Sequence, residues 1–482
     1  MRRVVWGVVG IVGAIACGSS STGPHNGGGP GISILAGDNQ TDTIQSSLIQ
    51  ALVIKLTTPS GTSAAGQVVQ FTAIPDTANG GSSTDLLVAP LSSPAYSSSA
   101  VDTTNSAGQA AVTVMLGTFA RKTRLLIKIP VLGYVDTARY TVTAGAPAAM
   151  SFADTTAYAN QAIPLSAAAT DRFGNATNSA VSYSVISGPG TISGTALTVT
   201  TFGVVTVKAT SGTFSATAHI TGVPHGTIAA SLMSGTGIAS FNLDGSGYHV
   251  ITSVQAGTVK WSPDGQSLVF DQTQNVGLFY GTPVIHRVTL DGSISDVDTN
   301  TSAIDAWPIY SRDGSWVYYE RVGSGNTIWR AHPDGSSASV LPVPAGSISF
   351  PSVSPNGLNV AYTVYGFGDI NVAPIGSGTP TDIGVSALYS QFSPVANVIA
   401  FVGGPSTGMF GGPLGIVNSD GTSKAFLTGP NTLYAPQFDW SPDGKWLIAF
   451  NELSGHIELI SVPGGLVLPL PYTSNLGSPT WH

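Results

Sequence analysis

Along most of the chain, apolar and polar residues alternate in short runs, and clusters of Gly, Pro, Asn, Asp and Ser separate one run from the next. "SLIQALVIKLTT", "GQVVQFTAI", "GQAAVTVML", "TRLLIKIPV" and "ARYTVTAG" each place Val, Ile, Leu, Phe or Ala at every second position. A period of two brings those side chains to one face, as in a half-buried strand. The same grammar continues through "VSYSVISG", "GVVTVKATSG" and "SATAHITG" and on to the last residues. The pattern predicts an all-β protein.

Length and charge narrow this picture. A chain of 482 residues is too long for one ordinary domain. Charged residues make up only 9%, against about 25% in a typical soluble domain, so surface polarity comes from Ser, Thr, Asn, Gln and Gly. A net charge of -8 excludes a nucleic-acid binder, which needs a basic footprint. By the same average it predicts no attraction to an anionic membrane.

The opening "MRRVVWGVVGIVGAIACGSSS" has two arginines, then thirteen apolar residues from Val4 to Ala16, then the only cysteine, Cys17. A bilayer span takes about 20 residues, so residues 1–16 read as a secretory signal peptide. "AIAC" resembles the bacterial lipobox, with Ala14 where that pattern prefers Leu. The resemblance implies lipidation of Cys17 and, with Gly18 in place of an Asp retention signal, an outer-membrane lipoprotein facing the periplasm or the cell surface. Membrane contact is then expected through the lipid anchor only. Residues 17–31 form a Gly/Ser/Pro tether with nothing to bury. Without a second cysteine the exported domains have no disulfides and depend on their cores.

Residues 32–145 contain "SAVDTTNSAGQAAVTVMLGT", which resembles bacterial Ig-like domains of the invasin and intimin type. Asn105 stands where that family often has Asp. Residues 146–223 are similar in grammar and read as a second Ig-like β-sandwich. Such domains imply spacers or adhesive modules. Arg121, Lys122, Arg124 and Lys128 lie within eight positions. The reading preferred from sequence is that they guard an exposed strand edge; contact with lipid phosphates is the other.

Residues 225–482 carry a repeat. "WSPDG" occurs at 261–265 and 440–444, with variants "YSRDG" at 310–314, "VSPNG" at 353–357 and "FSPVA" at 392–396. The units start 49, 43, 39 and 48 residues apart, and Trp481 in the terminal "SPTWH" follows Trp440 by 41. A period near 40–50 with four strands per unit is the signature of a β-propeller. The units resemble those of TolB-type propellers and of prolyl oligopeptidase-like proteins. Six innermost strands are expected, the last being "SPTWH", beside six three-strand sets, the first beginning at "HGTIAASL". The unpaired end and the unpaired start complete one split blade. The expectation is therefore two Ig-like β-sandwiches followed by a six-bladed propeller, closed by pairing its N- and C-terminal strands.

Chemical motifs are sparse. "GPSTG" at 404–408 matches the serine-hydrolase string but lacks the strand-to-helix setting that exposes such a serine. "DVDTN" places Asp296, Asp298 and Asn300 at alternate positions without the Gly and distal acid of a calcium loop. His286, His332 and His456 sit at different offsets from their turns, and no pair has zinc spacing. No metal or cofactor is expected. Glycine-flanked Phe279, Tyr280, Tyr365, Phe367, Met409 and Phe410 fall in loops between the second and third strands of their units. They form a candidate binding rim for an envelope protein or a glycan. The TolB resemblance likewise implies a non-enzymatic binding or scaffold module in the cell envelope. The alternative is a polysaccharide lyase or glycosidase whose carboxylates come from Asp271, Asp305, Glu320, Asp369 or Glu452 at the propeller mouth.

Overall fold

Period-two patterning yields strands throughout: in the computed structural model every regular element among the described residues is a β-strand. The structure describes residues 31–75, 85–93, 95–233, 237–272, 284–298, 303–346, 348–364, 368–403 and 411–482. The chain divides into two compact units, one of residues up to 150 with 168–180 and 211–214, the other of 151–167, 181–210 and 215–482.

In the first unit a four-stranded sheet, in the order Gly31–Ala36, Leu52–Thr57, Gln109–Leu116, Leu86–Pro90, shares one core with a five-stranded sheet. The five-stranded sheet runs Gln40–Thr43, Tyr134–Thr143, Lys122–Ile129, Val68–Ile74, Ser99–Thr103. Leu52, Ile54, Val112 and Val114 from the first meet Phe71, Leu125, Ile127 and Tyr140 from the second, all buried. This order corrects the reading of the basic cluster as an edge guard. Lys122–Ile129 lies in the middle of its sheet, hydrogen-bonded on both sides, and has no edge to protect.

The second unit begins with strands Thr155–Tyr158, Phe214–Val223, Gly203–Ser211 and Ser182–Ser187 in one sheet, over a core of Leu197, Val199, Val205, Val207 and Ile220. From residue 227 onward the chain forms antiparallel meanders; after the first, which starts at Thr227–Leu232, each opens on a strand that leads into one of the repeat turns. These lead strands are Val259–Trp261, Ile304–Tyr310, Ile348–Val353, Thr381–Phe392 and Tyr434–Trp440, followed by the final strand Leu476–Trp481. Thr381–Phe392 is long enough to close one meander and open the next within a seven-stranded sheet. Each lead strand contacts the next, and Leu476–Trp481 contacts both Tyr434–Trp440 and Val259–Trp261. This cyclic succession of meanders around inner strands is a β-propeller arrangement.

The repeat residues explain the turns. In the first repeat the Ser262 hydroxyl donates to Asp264 Oδ1 (2.6 Å), which also accepts the Gln266 amide (3.0 Å), while Ser262 Oγ accepts the Ser267 amide (3.0 Å). Ser311 with Asp313, Ser354 with Asn356 and Ser441 with Asp443 repeat the contact. Gly265 closes the turn at φ 67°, in the left-handed region where a Cβ is unfavourable. The Cβ of any other residue there would also approach the His482 ring to 2.4 Å. At the other end of the segment, Leu476–Trp481 pairs antiparallel with Thr227–Leu232, setting Ile228 opposite Trp481. His482 and Thr227 exchange both backbone hydrogen bonds at 2.8 and 2.9 Å. Trp481 is buried among Val223, Ile228, Leu243, Trp446 and Leu476.

Candidate functional site

The position one residue before each unit's opening residue, and before Trp481, is the penultimate residue of each of the six inner strands, and five of its six occupants line one cavity. The occupants are Lys260, Ile309, Ser352, Gln391, Asp439 and Thr480. Four of them form one buried network. Lys260 Nζ donates to Gln391 Oε1 (3.0 Å) and to the Phe438 carbonyl (2.6 Å), and stands 3.2 Å from Asp439 Oδ1. Gln391 Nε2 donates to the same Asp439 oxygen at 2.6 Å, and the Trp440 amide does so at 2.9 Å. Asp439 Oδ2 accepts from Thr480 Oγ1 (2.5 Å) and from the Trp481 amide (3.3 Å). Burial lowers the Lys260 pKa from its usual value, against the opposing pull of Asp439. Every heteroatom of the Asp439 carboxylate is thus committed to joining strands that are far apart in sequence.

Below this network, at the end of the ring where the repeat turns lie, a cavity of ≈ 120 Å³ opens between Pro263, Arg312, Pro355, Pro394 and Pro442. These are the third residues of the five units, so the cation of Arg312 stands where the two WSPDG copies and two of the variants carry proline. Trp261, Trp440, Trp481 and His482 also line it, with Lys260, Gln391 and Asp439 of the network.

Toward the opposite end of the inner strands an arc of aromatic rings runs across four strands. Ring centroids are 4.6 Å apart for Trp307 and Phe350, 5.1 Å for Phe350 and Tyr389, and 4.9 Å for Tyr389 and Phe438. Trp307 (φ 58°) and Phe350 (φ 60°) both take a left-handed backbone immediately before a proline. The ladders skip there, between Ala306 and Ile309 and between Ser349 and Ser352. Such bulges re-aim side chains at a rim, and the unfavourable φ is held in place by the surrounding packing.

Three of the five carboxylates considered for catalysis sit beside this arc, each with assigned work. Asp271, fully buried, accepts the Thr258 amide (3.0 Å) and the Trp307 amide (2.9 Å), tying two inner strands together. Asp305 takes a two-point contact from Arg321, with Nε and Nη2 at 2.8 and 2.9 Å from its oxygens. Arg321 also pairs with Asp298, which accepts from Tyr319 OH at 2.5 Å. Glu320 accepts from Asn326 Nδ2 (2.6 Å). Burial pushes its carboxyl up to about 8, the charge of Asp271 adding to the effect, against hydrogen bonds that favour the ionised form. Asp369 accepts from Ser386 Oγ (2.6 Å) on the outer part of its blade, and Glu452 is raised by partial burial alone. Asp271 and Glu320 are therefore neighbours, while Asp369 and Glu452 stand apart from them on other blades.

Glu320 makes stability depend on pH in a defined direction. Its folded pKa lies above the ordinary 4.5, so its contribution is fully present below about pH 4.5 and fades as pH rises through about 8. Glu320→Gln, which keeps the acceptor for Asn326, is expected to remove that decline. Denaturant titrations at pH 5 and pH 8 should give the variant a gain over the parent of a few kcal/mol at pH 8 and little at pH 5.

The remaining sequence candidates fall in different places. His286 Nδ1 lies 2.7 Å from Asp296 Oδ1, and the His332 ring stacks on Trp316 with centroids 4.0 Å apart. Asp296 and Asp298 thus serve separate partners. Cys17, the string at 404–408, Asn300 and all six rim residues (Phe279, Tyr280, Tyr365, Phe367, Met409, Phe410) lie outside the described residues. The inner network went unread because no single unit shows it. The signal available was that the residue before each unit is Lys, Gln, Asp or Thr in four of the six copies, although the strand around it is largely apolar.

No protein-family profile matches the chain. A stretch of 106 residues is 31% identical to the uncharacterized protein Atu1656 of Agrobacterium fabrum, covering 22% of this chain and 34% of that one. The chain thus spans about a third of that relative's length. Among solved structures, TolB from Acinetobacter baumannii is similar at 16% identity and a TM-score of 0.44, over 58% of this chain and 80% of that one. A structure described as TolB from Agrobacterium tumefaciens gives 19% identity and a TM-score of 0.38, over 51% and 88%. An oligogalacturonate lyase in complex with manganese gives 11% identity and a TM-score of 0.34, over 65% and 74%.

Proposed function

We propose that this chain is a cell-envelope lipoprotein whose residues 225–482 form a six-bladed propeller that binds an envelope protein or a glycan without catalysing a reaction. In this reading residues 1–16 are a signal peptide, Cys17 is acylated, residues 17–31 are the tether, and Ig-like domains at 32–145 and 146–223 are spacers. Pairing of Leu476–Trp481 with Thr227–Leu232 closes the ring. The observation that carries the binding reading is the commitment of the inner ionisable groups. Lys260 and Asp439 bond each other and the strands around them, Asp271 holds backbone amides, and Asp305 holds Arg321. A general acid or base needs a free position toward substrate, whereas recognition uses the loops and leaves the interior as scaffold.

The test is cross-linking of the full-length protein in its own cells, beside a variant with Tyr365, Phe367 and Phe410 changed to Ala. A single envelope protein recovered with the parent and lost with the variant is the expected result. Equal recovery from both would remove the aromatic rim from the proposal. One observation favours the enzymatic reading: Glu320 retains its proton near neutral pH beside a second carboxylate, Asp271, the pairing that glycosidases use. Polysaccharide turnover abolished by Glu320→Gln would establish that reading instead.

A further inference from the structure

The outward face of the five-stranded sheet in the first unit combines cations with exposed apolar side chains, and none of the acids on its strands lies on that face; Asp38, just before the edge strand, accepts the Arg139 backbone amide at 2.6 Å. Strand Lys122–Ile129 alternates buried Thr123, Leu125, Ile127 and Ile129 with outward Lys122, Arg124, Leu126 and Lys128. The register places Arg124 directly opposite Arg139, Lys128 opposite Val135 on one side and Gln70 on the other, and Gln70 opposite Val101. The outward row of the sheet is therefore Lys122, Arg124, Lys128 and Arg139 among Thr, Gln, Leu and Val. The three acids on these strands, Asp42, Asp102 and Asp136, fall on the opposite parity, in step with Val142, Ala100 and Ala138. They bond the amides of Thr43, Ala111 and Thr137 at 2.7, 2.8 and 2.7 Å. Among the described residues none of the four cations has a carboxylate within ion-pair distance; the neighbouring Arg121 is the one that pairs, with Asp85 at 3.5 Å.

Two features of this face work against the isolated fold. Like charges directly opposite each other across strands repel, and Arg124 faces Arg139. The hairpin that follows Lys128 also exposes Val131 at 79% and Leu132 at 39%, with Val135 at 57% just beyond. A basic row flanking a protruding apolar tip fits a surface whose outer layer is phosphate and whose interior is hydrocarbon: cations meet the headgroups while the tip enters the acyl boundary. The net charge of -8 does not oppose this, because screening confines each charge to about 8 Å in physiological salt.

We propose that this sheet face docks on an anionic lipid bilayer, with Lys122, Arg124, Lys128 and Arg139 on the phosphates and Val131 and Leu132 inserted. The inference holds whether or not Cys17 is acylated. The full chain carrying Cys17→Ser and Val131→Cys has one thiol, which is labelled with an environment-sensitive fluorophore and titrated with vesicles. In vesicles of equal parts phosphatidylglycerol and phosphatidylcholine, blue-shifted and enhanced emission is expected, with little change in phosphatidylcholine alone. Adding Lys122→Gln, Arg124→Gln and Lys128→Gln should raise the lipid concentration for half-maximal response about 100-fold, at roughly fivefold per cation. The same three changes should leave the melting temperature unchanged or higher, since Arg139 loses a repulsive neighbour. Emission that stays unchanged while the protein sediments with the vesicles would overturn the proposal, as would an unaltered response of the triple variant. A response to polygalacturonate but not to vesicles would also overturn it, by assigning the face to an acidic polymer.

Discussion

Trp481→Ala is expected to lower the first thermal transition of the protein by about 10 °C. Trp481 is 6% exposed and packs in a cluster with Val223, Ile228, Leu243, Trp446 and Leu476. Truncating a buried Trp to Ala removes its transfer free energy and leaves a cavity, together about 3–5 kcal/mol. At about 2–4 °C per kcal/mol this gives the stated shift. The location of the residue makes the effect larger in kind than a local void. The strand that ends in Trp481 pairs with Thr227–Leu232 on one side and contacts Tyr434–Trp440 and Val259–Trp261 on the other. Loosening it exposes the edge of Thr227–Leu232 and uncovers the flanks of the two neighbouring inner strands, so the variant should also aggregate on heating where the parent refolds. Calorimetry with a cooled rescan checks both statements. A transition within 2 °C of the parent and full reversibility would show that the final strand is dispensable.

Asp439→Ala is expected to cost about 3–5 kcal/mol, because it leaves the Lys260 ammonium buried without its counter-charge. Lys260 is 4% exposed and its nearest remaining acceptors are Gln391 Oε1 and the Phe438 carbonyl. The pH dependence identifies the cause. The Lys260 pKa is already lowered by burial, and losing Asp439 lowers it further. The folded variant then binds fewer protons than the unfolded chain over the intervening pH range, so its stability should rise with pH. The double variant Lys260→Met, Asp439→Leu should recover most of the loss, since a well-packed apolar pair often replaces a buried ion pair at little cost. Urea titrations of the parent and both variants at pH 7 and pH 9 distinguish this from a packing defect, which would not respond to pH.

What could be read from the sequence follows from what is local. Alternation within a run set the strands, and Ser-Pro-Asp-Gly set the turns, because the Ser262–Asp264 contact and the φ of Gly265 involve residues within a few positions. The odd placement of Trp481 was also legible, since a strand without a partner at one end implied one at the other. Sheet order was not legible. Nothing in "RKTRLLIKI" distinguishes a central strand from an edge, and only the pairing with both Tyr134–Thr143 and Val68–Ile74 shows that its cations are not edge guards. The Lys260–Gln391–Asp439–Thr480 network was hidden for a related reason: its members are 41 to 179 residues apart along the chain for the contacts they make. Asp271 and Asp305 illustrate the converse. Their positions at strand ends suggested chemistry, while their hydrogen bonds show them holding strands and Arg321.

The central claim is that the final strand is the closing element of the ring, which fixes the inner network and the loop faces around it. Amide hydrogen exchange of the full-length protein tests this most directly, by comparing the segment 476–482 with 434–440. Closure predicts that the His482 and Trp481 amides, bonded to the Thr227 carbonyl and to Asp439 Oδ2, exchange as slowly as the inner strand Tyr434–Trp440. Exchange of 476–482 at the rate of an open tail, with 434–440 still protected, would contradict it.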